Sequence, residues 1–429
     1  MAEKKLRWMR LDNAAKIYPA ARSQHWSNVY RLSATLSEQI DVQLMQAALD
    51  VTVRRFPSIA ARLRRGVFWY YLQQLQRAPE IREEYSYPLT RMGFDETRQC
   101  ALRVIVYKRR VAIELFHSLT DGSGALIFLK NLVAEYLLLK YGVSVPLEKG
   151  IVDRREDPRE EELEDSFQRY AGPVSASRKE NNAWQLSGTV EAGEFLHLTC
   201  LTLDSEEVRR KAKEYGVSVT VFLGAAMMDA LQQLQKARIP KRRRRPRIRV
   251  QIPINLRNIF PSKTLRNFAL YTTPEIDPRL GEYSFRELCD VVRHRLGLDA
   301  NAKVMSTKIA ANVGSERLLI VRLLPLFIKN PVMKAIFLAS GEKKSCLSLS
   351  NLGQVTLPEA MAPYVRRMDF ILGPQASAPH NCGVISWDGK LYINMIRDIR
   401  EPELEACLCR VLREMDLHIT VQSNAPKGE

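Results

Sequence analysis

Six histidines occur in the chain, and one of them stands in a run with chemical potential: Phe116-His117-Ser118-Leu119-Thr120-Asp121-Gly122. Imidazole titrates near neutrality and can take a proton from a hydroxyl or amine as it attacks an electrophile, which is general-base chemistry. Asp121, four residues on, either bonds the His117 ring or folds outward to tie the loop to an arginine; spacing leaves both open. A His, an Asp four positions later and a Gly directly after it coincide by chance only ~0.01 times in a chain of this composition. His380, in Ala378-Pro379-His380-Asn381, reads as a loop residue that is solvent-exposed or lines a substrate site. His25, His197, His294 and His418 have no partner at telling spacing.

Placement strengthens the case for His117. The strand pattern of Leu102 to Tyr107, a turn at Lys108 to Arg110 and a second strand from Val111 to Phe116 predict a hairpin that ends at His117. Ser118 to Gly124 is turn-forming, and Ala125 to Tyr141 has helical periodicity up to the stop at Gly142. His117 therefore falls in a strand-to-helix loop, where side chains are exposed on rigid supports.

The rest of the chain alternates. Helices are expected at 40–56 (capped by Asp41 and ended by Pro57), 204–215, about 218–235, 285–296 and 402–415, with a broken helical pair in 317–338. Strands are expected at 67–72, 195–203, 248–254 and 346–350. A hairpin of 383–387 with 391–395 turns on Asp388-Gly389. This predicts mixed α/β lobes rather than one parallel sheet. At 429 residues the chain exceeds what one core supports, so two lobes are expected. Residues 1–145 form the first, an acidic crossover spans 146–193, and 194–429 form the second.

Composition narrows the function. The net charge of +17 peaks at Lys241, Arg242, Arg243, Arg244, Arg245, Arg247 and Arg249, a run that reads as a solvated loop and strand or as a seat for a polyanion. No aromatic-interleaved basic face or nucleic-acid motif accompanies it, so nucleic acid is not an expected partner. The seven scattered cysteines lack metal spacing and read as reduced, mostly buried thiols. The basic N-terminal stretch has no apolar run behind it, and the apolar region 318–338 is broken by Arg322, Pro325, Lys329 and Pro331. A cytoplasmic protein without a transmembrane segment is expected. Gly-x-Ser-x-Gly, P-loop, dinucleotide and His-Glu-x-x-His motifs are absent.

The run from Phe116 to Gly122 resembles the His-x-x-x-Asp-Gly signature of the condensation-domain and chloramphenicol-acetyltransferase superfamily of acyltransferases. Arg55-Phe56-Pro57-Ser58-Ile59, Gln251 to Arg257, Leu265-Arg266-Asn267-Phe268 and Leu349-Ser350-Asn351-Leu352-Gly353 resemble further segments in the family's order. Phe116 replaces the second His usual in condensation domains, and Asp369-Phe370-Ile371-Leu372-Gly373 keeps only part of the plant motif, which points to the bacterial alcohol acetyltransferase-like branch. The resemblance implies two chloramphenicol-acetyltransferase-like lobes in a V with a central tunnel. It implies His117 as base, Asp121 as a structural residue paired with Arg257, and Gly122 as the residue leaving room for substrate. Ser350 or Asn351 would support the oxyanion. The expected co-substrate is acyl-CoA or acyl carrier protein, with no bound cofactor and an alcohol or amine acceptor. Lys241, Arg242 and Arg243 could hold coenzyme A phosphates or an acidic carrier protein. A monomer is expected. The alternatives are a non-catalytic scaffold that binds a carrier protein or lipid, and a binder of nucleic acid or membrane surfaces.

Overall fold

The structure is a computed structural model that describes residues 7–22, 28–174, 181–191, 195–340, 343–375 and 378–425; His25 lies outside them. The first half runs β1 (Trp8–Arg10), α1 (Ile17–Ala21), β2 (Val29–Leu36), α2 (Val42–Arg55), β3 (Ala61–Arg65), β4 (Tyr70–Gln74) and β5 (Arg82–Glu83). It continues with α3 (Phe94–Gln99), β6 (Leu102–Tyr107), β7 (Arg110–Phe116), α4 (Gly122–Tyr141), α5 (Glu160–Leu163) and α6 (Ser166–Tyr170). The second half opens with β8 (His197–Asp204), α7 (Ser205–Glu214), α8 (Val219–Arg238), β9 (Ile248–Asn255), β10 (Ala269–Thr272) and β11 (Glu275–Ile276). Then come α9 (Phe285–Asp299), α10 (Ala302–Arg317), α11 (Leu319–Leu323), α12 (Leu326–Ser340) and β12 (Leu347–Gln354). β13 (Val365–Ile371), β14 (His380–Trp387), β15 (Lys390–Arg397), α13 (Glu403–Arg413) and β16 (Thr420–Ser423) complete it.

β1-β4-β3 form a separate three-stranded sheet, and each lobe is built on one large sheet. The first has the order β13-β2-β7-β6-β5, and the second β10-β9-β12-β14-β15-β8-β16 with β11 beside β9. Mixed pairing is present, since β12 runs parallel to both β9 and β14 while the hairpins are antiparallel. α2 and α4 pack together in the first core, and α8 packs on α13 and α9 in the second. β13 lies in the 194–429 stretch but pairs along its length with β2, which stitches the two lobes together.

Local chemistry sets most boundaries. The Asp41 carboxylate accepts the Gln43 and Leu44 amides at 2.9 and 3.0 Å to start α2, and Met45, Ala48, Leu49 and Val53 turn inward. α4 is long and apolar enough to cross a membrane, yet most of it is buried in the fold. Its Asn131 donates to the Ile127 and Gly150 carbonyls, and Glu135 pairs with Arg154, so it is a core helix.

The expected strand 67–72 is instead two strands, β3 and β4, turning between Gly66 and Trp69, where the Gly66 amide donates to the Trp69 carbonyl at 3.0 Å. Among the elements that periodicity does not detect are β2 and α10. β2 is buried on both faces, its Arg31 tied to Glu84 and Glu114, so apolar and polar residues do not sort by exposure. α10 starts at Asn301, whose side chain accepts the Val304 amide at 3.0 Å. His380 is not in a loop: it opens β14 and is 1% exposed, because the pairing of β14 with β15 extends to Arg397.

Candidate active site

His117 sits where β7 ends, its amide donating to the Asn28 carbonyl at 2.8 Å. Its ring stacks on Tyr18 at 4.6 Å and leans on Tyr30 at 4.8 Å. The Tyr30 hydroxyl donates to the Thr120 carbonyl at 2.9 Å, pinning the loop that follows. Burial pushes both phenols up, so they stay neutral.

Asp121 takes the second of its two possible roles. One carboxylate oxygen accepts the Ser123 and Gly124 amides, both at 3.1 Å, and so caps α4 three residues earlier than periodicity suggests. The other accepts Arg257 Nη1 and the Phe268 amide, both at 2.8 Å. The carboxylate is thus spent on the loop and on Arg257, not on the imidazole. Arg257 also donates to the Thr264 and Arg266 carbonyls at 2.9 and 2.6 Å, which fixes the 264–268 segment beside the His117 loop.

That segment supplies the partner of His117. Asn267 Nδ2 donates to the His117 carbonyl at 3.0 Å and to Asp12 at 3.2 Å, so its Oδ1 must face the ring. His117 Nδ1 lies 3.1 Å from that oxygen and therefore carries the proton it donates. The lone pair resides on Nε2. Burial pulls the His117 pKa below its ordinary value, against the opposing effects of its own carbonyl, Asp121, Asn267 and Asp12. The ring is neutral at physiological pH, as a general base must be. Asp12 is fully buried near Arg266 and accepts the Ala15 amide at 2.7 Å; burial raises its pKa against the pull of Arg266.

Two glycines leave room here. A Cβ on Gly124 would collide with Thr120 Oγ1 and the Leu265 carbonyl, which the threonine hydroxyl already bonds at 2.5 Å. A Cβ on Gly122 would stand 2.8 Å from a methyl of Leu352. Gly122 therefore shapes the cavity wall, and Gly124 lets the 264–268 segment approach.

His117, Asp121 and Gly122 line a cavity of about 370 Å³ between the lobes, together with Ser350 and Asn351, which lie inside β12 rather than at the strand end expected near 350, just before its pairing with β14 shifts register. Asn351 Nδ2 donates to Thr220 Oγ1 at 3.1 Å and its Oδ1 accepts the Gly353 amide at 2.8 Å, which holds the irregularity in β12. Lys241, Arg242 and Arg243 lie in an exposed turn and do not line this cavity. Arg245 donates to the Ile239 and Pro240 carbonyls after α8, and Arg247 and Arg249 pair with Glu275. Lys343 does reach the cavity. His197 pairs with Glu191 at 2.7 Å, and His380 is buried at 3.5 Å from Glu405; neither lines it. Sequence reasoning misses the roles of Asn267 and Asp12, since they lie 150 and 105 residues from His117 and only the fold unites them.

No family model and no curated protein sequence matches the chain. Solved structures do. Polyketide synthase associated protein 5 from Mycobacterium tuberculosis is 15% identical, with 95% of this chain and 98% of that one covered at a TM-score of 0.56. The condensation domain of the Monacolin K polyketide synthase MokA is 12% identical, over 96% and 97% of the two chains, at 0.59. TRI101 from Fusarium sporotrichioides, solved with coenzyme A and T-2, is 10% identical, over 96% and 99%, at 0.62. The chain shares its fold with these proteins over nearly their whole length.

Proposed function

We propose that the protein transfers an acyl group from a thioester, acyl-CoA or acyl carrier protein, to an alcohol or amine, with His117 Nε2 as general base. The observation that carries this reading is the Asn267 amide, whose two donor bonds fix its orientation and thereby leave the basic nitrogen of a neutral His117 for the acceptor. As the acceptor oxygen or nitrogen attacks the thioester carbonyl, its proton passes to Nε2, and collapse of the tetrahedral adduct expels the thiolate, which takes the proton back. Among the described residues no hydroxyl or thiol bonds the His117 ring, which favours direct transfer over an acyl-enzyme. The Ser350 hydroxyl is the donor offered to the oxyanion, with Asn351 holding the irregularity in β12. Lys343 is better placed than Lys241, Arg242 or Arg243 to meet an anionic group of the donor. TRI101, which shares the fold, was solved with coenzyme A, and that supports a coenzyme A thioester as donor.

The test is thiol release from acyl-CoA donors of increasing length with pooled alcohols and amines, for wild type and His117→Ala. Removal of a general base costs ~10²–10⁴-fold. Acceptor-dependent release that falls by this factor is the expected outcome; equal turnover in both proteins removes His117 as base, and silence in both with every donor leaves a carrier-bound donor or the scaffold reading.

A further inference from the structure

α12 is amphipathic in the wrong sense for a helix on the surface of a water-soluble protein. Its inward side carries Lys329, 2% exposed, which donates to the Phe68 carbonyl at 2.8 Å and lies 3.4 Å over the Trp69 ring. Asn330 beside it donates to the Tyr70 hydroxyl at 3.0 Å. Its outward side presents Phe327, Ile328, Pro331, Val332 and Ala335, all exposed and none polar. Phe327 is 67% exposed. Leu323 of α11 adds to this side one turn earlier, and Val67 and Phe68, at the tip of the β3–β4 hairpin, adjoin it where the Leu326 amide donates to the Val67 carbonyl at 2.9 Å. A contiguous apolar surface of this kind needs a partner.

Charge identifies the partner. Residues 317–340 contain Arg317, Arg322, Lys329 and Lys334, and the 61–74 hairpin contains Arg62, Arg64 and Arg65; neither stretch has an Asp or Glu. Apolar side chains flanked by the exposed Arg65 and Arg322, with the neighbouring Glu316 paired to Lys16, match the boundary of a bilayer whose headgroups are anionic. A rim with this excess of bases would repel a second copy of itself.

We propose that α11, α12 and the β3–β4 tip dock this protein on the surface of anionic membranes, with Phe327, Ile328, Val332, Leu323 and Phe68 in the acyl boundary and Arg65 and Arg322 at the headgroups. Docking has a use at the cavity. α12 packs on α1, whose Ile17 and Tyr18 line the His117 cavity, so the membrane face lies next to the wall of the site. A lipid-dissolved acceptor or acyl chain then travels a short path. The docking itself does not depend on the acyltransferase reading.

The experiment is co-sedimentation of the full chain with phosphatidylcholine vesicles, with and without phosphatidylglycerol, at two salt concentrations. Wild type partitions into the anionic vesicles, less at high salt. Phe327→Ser/Ile328→Ser/Val332→Ser, all at exposed positions, reduces the partition on the order of 100-fold. Arg65→Glu/Arg322→Glu weakens binding to anionic vesicles and leaves the melting temperature unchanged. No partition by wild type overturns the proposal, as does equal partition by the triple serine variant. A concentration-dependent dimer in light scattering, dissolved by the triple variant and accompanied by no vesicle binding, assigns the face to a second copy and overturns it too.

Discussion

Each lobe holds a histidine at the end of a strand, and their surroundings differ in the one respect that matters for chemistry. Around His117 every polar neighbour is committed: Asp121 accepts four donors, Arg257 bridges it to the 264–268 segment, and Asn267 holds Nδ1 in a half-buried ring that faces a cavity. Around His380 the reverse holds. Its ring is closed off from solvent, neither nitrogen has a hydrogen-bond partner among the described residues, and Glu405, at 3.5 Å, turns its other oxygen to Arg397 at 2.9 Å. A histidine held through one nitrogen with the other left open is poised to move protons; one shut inside the lobe beside a committed carboxylate fills space. The lesson is that the orientation of a base comes from groups that never touch substrate.

The comparison breaks first at Asn267. Asn267→Ala removes the acceptor that holds Nδ1–H and frees the ring to change tautomer, a loss of about 1–3 kcal/mol, or roughly 10- to 100-fold in kcat. The pH profile separates this from a merely structural effect. Burial already holds His117 below its ordinary value of 6.5, so the acid limb of the wild-type profile lies below pH 6.5. The Asn267 carbonyl favours the protonated ring, so its removal moves that limb to still lower pH. A limb that stays in place, or moves up, refutes the positioning role.

The next test sharpens the comparison within one loop. Gly124→Ala drives the Leu265 backbone away and with it Asn267, at a cost of about 1–3 kcal/mol in stability, and it lowers kcat. Gly122→Ala meets only the flexible tip of Leu352, so it changes KM and acceptor preference while the melting temperature holds. Equal thermal shifts in the two variants contradict this division of labour.

The same contrast decides how much of the molecule is legible in its sequence. The hairpin, the loop and α4 are local, and their turn and cap residues stand within a few positions of one another, so sequence patterns alone place the His117 motif. The pairing of Asp121 with Arg257 is implied by the family resemblance, and the two side chains stand 2.8 Å apart. Asn267 lies in a segment that resembles the family, but nothing local says which strand end it reaches. β2 hides because Arg31 and Ser33 are buried with the apolar residues, and β13 because its partner lies more than 300 residues away. His380 misleads for a related reason: Pro379 and Asn381 look like loop residues, yet Asn381 accepts the Ser348 amide at 3.0 Å and donates to the Gly373 carbonyl at 2.6 Å inside the lobe.

The smallest effect on activity belongs to His380. His380→Leu keeps roughly the volume but removes the ring 3.5 Å from Glu405, so kcat/KM stays within about twofold while stability falls by about 1–3 kcal/mol. Glu405→Leu is different, because it leaves Arg397 buried without its carboxylate and costs about 3–5 kcal/mol. Burial pulls the Glu405 carboxyl up, but His380 and Arg397 outweigh it and hold the group below its ordinary value of 4.5. A carboxylate depressed in the folded state stabilises above its unfolded value and ceases to do so as pH falls through the folded one. The gap between wild type and Glu405→Leu in urea unfolding should therefore be full at neutral pH and close below pH 4.5. A gap that persists in acid would show that Glu405 matters through packing, and the second histidine would then sit in a region held by shape, with its charges incidental.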